Sequence, residues 1–138
     1  HGALTHVFPT MDALAGMDPT RLALPRRRAA TVVELAAACA RGDVDLRAGA
    51  DIEAVRTQLA ALAGIGPWTV ETIAMRSLGD PDAFVASDLG VLAAARTLGL
   101  AETAAQLEKR AHEWRPWRAY AVQHLWATTP HAINQLPD

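Results

Sequence analysis

The amino-acid sequence predicts an all-α protein built as a bundle of short helices. Valines and isoleucines are scattered among alanines at helical spacing and do not alternate with polar residues, so no segment predicts a strand. Aspartates and threonines precede several apolar stretches and glycines follow them, as expected at helix N-caps and C-caps. With 138 residues, of which 51% are hydrophobic, the chain can form one globular domain with its own core.

Capping residues and glycines divide the chain into its predicted elements. Thr10 caps a short helix over 11–16, and Asp18 with Pro19 begins another short turn. Asp88 is the predicted N-cap of a helix that ends at Gly99. The other predicted helices cover 27–41, 52–62, 67–78, 102–114 and 116–128, and the tail from residue 130 is predicted to be loose.

Two sets of apolar side chains recur at helical spacing. On the helix over 27–41, one side carries small apolar residues, namely Ala30, Val33, Ala37 and Ala40. Near the carboxyl end, Trp114, Trp117 and Tyr120 recur at helical spacing and are expected in the core.

The segment from Leu62 to Val70 predicts a tight turn between two helices. Gly64 and Gly66 stand two residues apart between apolar helix-forming stretches, so backbone N–H groups can approach an anion without obstruction. Thr69, just beyond, adds a hydroxyl donor. A turn of this kind can bind a phosphate group of DNA. The alternative is a structural turn between helices, with glycines present for steric reasons only.

Asp88 follows this turn and is the candidate catalytic residue. A helix N-terminus favours an ionised carboxylate, which could act on a nucleotide held near the turn. The alternative for an aspartate at this position is an ordinary N-cap.

Bulk properties exclude some classes of protein. The net charge of −2 argues mildly against a purely electrostatic nucleic-acid binder, although Arg26 to Arg28 are consecutive. Cys39 is the single cysteine, so an intramolecular disulfide and a four-cysteine iron–sulfur cluster are excluded, and a cytoplasmic setting fits. No apolar run reaches the ~20 residues of a membrane span.

Four ordered segments resemble one family. Residues 62–70 resemble the hairpin of the helix-hairpin-helix DNA glycosylase superfamily, which carries a downstream catalytic Asp. Residues 8–10, 24–29 and 114–126 look like the corresponding parts of its AlkA-type DNA-3-methyladenine glycosylase II branch. The resemblance covers nearly the whole chain. It implies a base-excision repair enzyme that flips alkylated, 3-methyladenine-like purines out of double-stranded DNA and cleaves their N-glycosidic bond.

The resemblance assigns roles around the hairpin and Asp88. It implies that Asp88 stabilises the sugar cation or activates water, and that N–H groups near Gly64, Gly66 and Thr69 hold a DNA phosphate. It also implies a monovalent cation, Na⁺ or K⁺, on the backbone carbonyls of Ala60, Leu62 and Ile65. No other cofactor is expected.

Aromatic residues distinguish this chain within the superfamily. Trp68 stands where bifunctional relatives carry the lysine that forms a Schiff base, so a monofunctional enzyme without lyase activity is expected. The resemblance makes Trp68 and Trp126 two walls that stack on a flipped cationic base; helix packing is the alternative. Thr72 occupies the position of a further tyrosine of the family, so one aromatic face of the substrate site is missing.

The arginines following Pro25 are candidate DNA contacts. Arg26 stands where well-known relatives have a leucine that fills the gap left by the flipped base, and its guanidinium and stem could fill that gap by stacking. A solvated surface charge is the alternative. Arg27 is a candidate phosphate contact, with a surface residue as the alternative.

The resemblance also raises the question of completeness. AlkA-type enzymes carry a mixed α/β domain and a long helix ahead of the segment that resembles 8–10, so the chain is expected to be a fragment. An apolar stripe left exposed would then favour self-association. The alternative function is a non-catalytic helix-hairpin-helix DNA-binding module, or a catalytically incomplete fragment.

Overall fold

The computed structural model describes residues 5–128, and all regular structure in that range is helical. The predicted all-α class is therefore confirmed. The predicted loose tail from residue 130 lies outside the described residues. The helices are α1 (Met11–Ala15), α2 (Arg26–Arg41), α3 (Ile52–Ala60), α4 (Pro67–Arg76), α5 (Leu89–Thr97), α6 (Ala104–Ala111) and α7 (Arg118–Thr128), with 3-10 turns over Pro19–Arg21 and His112–Trp114.

Side-chain caps fix where several helices begin. Thr10 accepts the N–H of Ala13, and Asp51 accepts those of Glu53 and Ala54. Thr103 and Gln106 form a capping box, so α6 begins after Thr103. The predicted helix over 102–114 was too long, since α6 ends at Ala111 and gives way to a 3-10 turn. The last helix begins at Arg118, two residues later than predicted.

Contacts divide the chain into two compact units, His1–Gly66 and Pro67–Asp138. In the first unit α1 packs on α2, and in the second α5 packs on α7. The prediction of a single helical domain stays a prediction. No helix within residues 5–128 is both long and apolar enough to cross a membrane.

The buried residues differ from the sequence pattern in α2, and the prediction that Trp117 and Tyr120 lie in the core was wrong. In α2 the buried residues are Ala29, Ala36 and Ala38, whereas Ala30 is exposed. Trp117 and Tyr120 are 59% and 58% exposed and pack edge to face against each other, with ring centroids 5.7 Å apart. The alanines of α2 lie on most sides of the helix, so the spacing of its hydrophobic residues does not identify the buried side.

The turn after α3 is tied to α2 within the first unit. The hydroxyl of Thr31 donates to the carbonyl of Ala63 over 3.2 Å. Gly64 has φ +89°, and a Cβ there would collide with the Thr31 hydroxyl. Gly66 has neither constraint, because a Cβ at that position meets open space. Gly64 is therefore required by the fold, whereas residues 5–128 place no steric requirement on Gly66.

Replacing Gly64 with alanine should lower the free energy of unfolding by about 1–3 kcal/mol, because the side chain meets both an unfavourable φ and Thr31. Urea titration followed by circular dichroism measures this change. The matched control is Gly66→Ala, which should leave stability within ~0.5 kcal/mol. Equal stabilities of the two variants would show that the Thr31 contact does not constrain the turn.

Candidate active site

The carboxylate of Asp88 is the centre of the candidate site and lies at the N-terminus of α5. Its Oδ1 accepts the backbone N–H of Val91 at 2.9 Å and the indole N–H of Trp126 at 3.0 Å. Its Oδ2 accepts the indole N–H of Trp68 at 2.8 Å. Both carboxylate oxygens are thus held by N–H donors, which fixes the orientation of the group.

The two indoles come from different helices of the second unit. Trp68 is in the first turn of α4 and 44% exposed, while Trp126 is in α7. The guanidinium of Arg76, in the last turn of α4, lies 5.4 Å from the Trp126 ring centroid. Gly90 leaves room for the carboxylate, since a Cβ there would lie 3.2 Å from Asp88 Oδ1, whereas its 3.5 Å distance from Trp126 Cδ1 would be an ordinary van der Waals contact.

These contacts keep Asp88 ionised. Burial raises the pKa of the carboxyl group, but hydrogen bonds from Trp126, Val91, Trp68 and Gly90 outweigh burial and leave the pKa below its ordinary value of 3.8. The group is therefore a fixed negative charge at neutral pH. Such a charge can stabilise a developing cation, or accept a proton from water, without any rearrangement.

The structure brings together three of the residues singled out from the sequence, Trp68, Asp88 and Trp126. The sequence did not reveal that both indoles donate to the carboxylate, because residues far apart along the chain supply the partners. Thr72 lies one helical turn after Trp68, and its hydroxyl donates to the Trp68 carbonyl at 2.7 Å. The hydroxyl of Thr72 is therefore engaged by its own helix.

The glycine turn belongs to the first unit up to Gly66. The carbonyl of Leu62 accepts the N–H of Ile65 at 3.2 Å. Ala60, Leu62 and Ile65 lie at or just after the C-terminal end of α3, where carbonyl groups leave the helical hydrogen-bond pattern. The monovalent cation expected at these carbonyls stays a prediction. Thr69 is half-buried in the first turn of α4.

The consecutive arginines occupy the first turn of α2. Arg26, Arg27 and Arg28 are all exposed, and Pro25 at the N-cap supplies no side-chain hydrogen bond. Cations near a helix N-terminus face the positive end of the helix dipole, and this first turn contains no acidic residue. An anion at this position would relieve the repulsion.

The helices of residues 5–128, with a carboxylate at a helix N-terminus that follows a glycine turn in the sequence, are consistent with the helix-hairpin-helix glycosylase type of fold. Comparison with a solved structure agrees. DNA-3-methyladenine glycosidase from Bacillus halodurans matches with a TM-score of 0.72 at 22% identity, over 93% of this chain and 63% of that one.

Sequence relatives make the relationship more specific. A probable bifunctional transcriptional activator/DNA repair enzyme AlkA of Mycobacterium tuberculosis is 53% identical over 99% of this chain and 28% of its own length. DNA-3-methyladenine glycosylase 2 of Escherichia coli is 36% identical over 88% of this chain and 43% of its own length. No protein-family profile matches the chain.

The resemblance inferred from the four sequence segments is thereby confirmed. The chain is a homologue of AlkA-type DNA-3-methyladenine glycosylases. It spans less than half the length of these two relatives.

Replacing Trp126 with phenylalanine should raise the pKa of Asp88, because one N–H donor to the charged form is lost. Trp68→Phe should act in the same direction. Carboxyl ¹³C NMR during an acid titration measures the shift, and Trp117→Phe, at an exposed indole, is the control. Since the folded pKa is depressed, Asp88 contributes stability above its ordinary pKa of 3.8 that is lost as the pH falls through the folded pKa. Both variants should lose less stability on acidification than the unmodified chain. An unmoved pKa would contradict the indole hydrogen bonds.

Proposed function

We propose that the chain is the part of a base-excision repair glycosylase that carries the catalytic carboxylate and cleaves the N-glycosidic bond of alkylated purines in double-stranded DNA. The observation that carries this function is the Asp88 carboxylate, held ionised at the N-terminus of α5 by two indole N–H groups. A fixed negative charge is the group that cleavage through a sugar cation requires.

The proposed reaction breaks the bond between C1′ and the purine nitrogen, and the bonding electrons leave with the base. An alkylated purine such as 3-methyladenine carries positive charge, so it departs as a neutral base and needs little acid assistance. The charge moves to the sugar, where Asp88 stabilises it. Water then adds to C1′ and loses a proton, for which the same carboxylate is an acceptor.

Access to a base inside a duplex requires that the nucleotide be flipped out. Trp68, with 44% of its surface exposed beside Asp88, is placed to stack on such a base. Arg76 lies over the Trp126 ring, so Trp126 is better suited to orienting Asp88 than to stacking on a cation. We propose Trp68 as the main stacking residue. With Thr72 engaged by its own helix, no tyrosine-like contact comes from that position.

The enzyme is proposed to be monofunctional. Lyase activity in this superfamily requires an amine that attacks C1′. Trp68 stands at the sequence position of the lysine that supplies this amine in bifunctional relatives, and its indole donates to Asp88. Water is then the nucleophile. A cytoplasmic location, inferred from the single cysteine, stays a prediction, as does self-association through an exposed apolar stripe.

Binding of DNA is proposed to use backbone donors and arginines. The N–H groups near Gly64 and Gly66, together with the Thr69 hydroxyl, would hold one phosphate, and Na⁺ or K⁺ on the carbonyls after α3 would reduce their repulsion of the anion. Arg26 and Arg27 lie at a helix start that has no side-chain cap and no acidic residue in its first turn. They would contact the phosphate backbone of the DNA. Arg26 is also the proposed filler of the gap left by the flipped base.

Replacing Asp88 with asparagine should slow release of 3-methyladenine from methylated duplex DNA by about a thousandfold, which corresponds to ~4 kcal/mol of transition-state stabilisation. Duplex affinity should be unchanged or higher, because a negative charge facing DNA is removed at constant shape. Single-turnover base release and fluorescence anisotropy measure the two quantities. Asp43→Asn, at an exposed aspartate of the first unit, is the control.

Three results would change the assignment. Base release by Asp88→Asn at the rate of the unmodified chain would exclude Asp88 as the catalytic group. Duplex binding without base release by the unmodified chain would favour a non-catalytic binding module or an incomplete fragment. A protein–DNA adduct trapped by borohydride would contradict the monofunctional assignment.

Replacing Gly66 with alanine should weaken duplex binding by about tenfold. The added methyl group would keep the DNA phosphate away from the backbone N–H groups, and the loss corresponds to one charge-assisted hydrogen bond. Stability should not change, because the added methyl group meets open space within the chain. Affinity measured across a salt series separates this loss from a general electrostatic one. Gly16→Ala, in an exposed position away from the turn, is the control. Unchanged affinity would make the turn purely structural.

A further inference from the structure

The loop over residues 80–87, which precedes Asp88, is attached to α7 near both of its ends. At the beginning of the loop, the N–H of Ala119 donates to the Pro81 carbonyl at 2.9 Å, and Arg118 donates to both carboxylate oxygens of Asp82 at 2.7 and 2.8 Å. At its end, Trp126 donates to Asp88. Arg118 and Trp126 are about two turns apart on α7, so one rigid helix holds both ends of the loop.

The pair formed by Arg118 and Asp82 differs from the surface ion pairs of the chain. Only 15% of the Arg118 side chain and 16% of the Asp82 side chain are exposed. Arg47 makes the same two-pronged contact with Asp45, but 87% of its side chain is exposed. Exposed pairs contribute little to stability and orientation, whereas a sequestered two-pronged pair fixes the direction of both groups.

Further contacts hold this pair in place. Arg115 also donates to Asp82, and the Arg118 guanidinium lies 5.9 Å from the Phe84 ring centroid. The hydrogen bonds from Arg118, with those from Arg115, outweigh burial and lower the pKa of Asp82. Residues 83–86 of the loop are buried. The loop is therefore held by the ion pair between Asp82 and Arg118 and by the burial of residues 83–86.

We propose that Arg118 and Asp82 are positioning residues, which dock the loop on α7 so that the Asp88 carboxylate meets the indole N–H of Trp126. The catalytic consequence rests on the proposed function, since it requires that Asp88 act on the substrate. Neither side chain contacts the reacting atoms. Their effect passes through the position of one carboxylate, and a displacement of about 1 Å in such a group can cost a hundredfold in rate.

The first test is spectroscopic and needs no substrate. Arg118→Lys keeps the charge but loses the two-pronged geometry, and Asp82→Asn keeps the shape but loses the charge. In ¹H–¹⁵N spectra of the full chain, the Trp126 indole N–H resonance, assigned with Trp126→Phe, should move toward that of the exposed Trp117 indole. Arg47→Lys, which alters a pair of the same geometry in the first unit, should leave it in place.

The second test uses base release. At a temperature where melting curves show each variant to be folded, Arg118→Lys should reduce the single-turnover rate by about tenfold to a hundredfold, with duplex affinity unchanged. In the Asp88→Asn background the same substitution should cause no further loss, because its effect passes through the missing carboxylate. A merely structural role would reduce the rate in both backgrounds.

Each outcome decides the proposed role. An unmoved Trp126 resonance in folded Arg118→Lys or Asp82→Asn overturns it, whatever the rate. A rate loss that persists in the Asp88→Asn background overturns it as well. If Arg118→Lys does not fold, Asp82→Asn alone decides. A shifted resonance in a chain that never releases bases would support the docking and refute the proposed function instead.

Discussion

The hydrogen bonds from two indoles to the Asp88 carboxylate are the constraint on which the second unit depends. Trp68 in α4 and Trp126 in α7 both donate to a residue that begins α5, so three helices converge on one charged group. Asp88 is partly buried, and burial without donors would raise the pKa of its carboxyl group. Here the N–H groups lower its pKa, and the contacts that stabilise the fold also maintain the charge that the proposed chemistry requires.

The same arrangement gives tryptophan an unusual role. An aromatic residue near a DNA lesion is commonly expected to stack on a base, yet an indole also carries an N–H donor at its edge. Trp68 uses its edge on Asp88 while 44% of its surface is exposed, so one side chain can orient the carboxylate and offer a surface to a base. In the proposed function, this would link binding of the flipped base to the position of the Asp88 charge. Loss of the indole would disturb both.

Sequence alone predicted the helical class, most helix starts and the position of Asp88, because these depend on local signals such as caps, glycines and hydrophobic spacing. The starts of α3 and α5 follow from Asp51 and Asp88, which cap them as expected. The buried face of α2 could not be predicted, because alanines there give no contrast between sides. Exposure of Trp117 and Tyr120 was missed because spacing shows that residues share a face, but does not show what covers that face.

The partners of Asp88 were missed for a related reason. Trp68 and Trp126 were singled out by resemblance, but a hydrogen bond between side chains distant in sequence depends on helix placement that no local pattern encodes. No sequence pattern indicated that Arg118 and Asp82 form a sequestered ion pair, since most oppositely charged side chains of a protein are solvated. The structure shows that they are largely sequestered and joined by two bonds. A helix that carries both Arg118 and Trp126 transmits the position of the first to the second with little loss, because a helix of this length is stiff. Placement of the Asp88 carboxylate thus depends on contacts at both ends of α7, and in the proposed function Arg118 and Asp82 would affect the reaction only through that carboxylate.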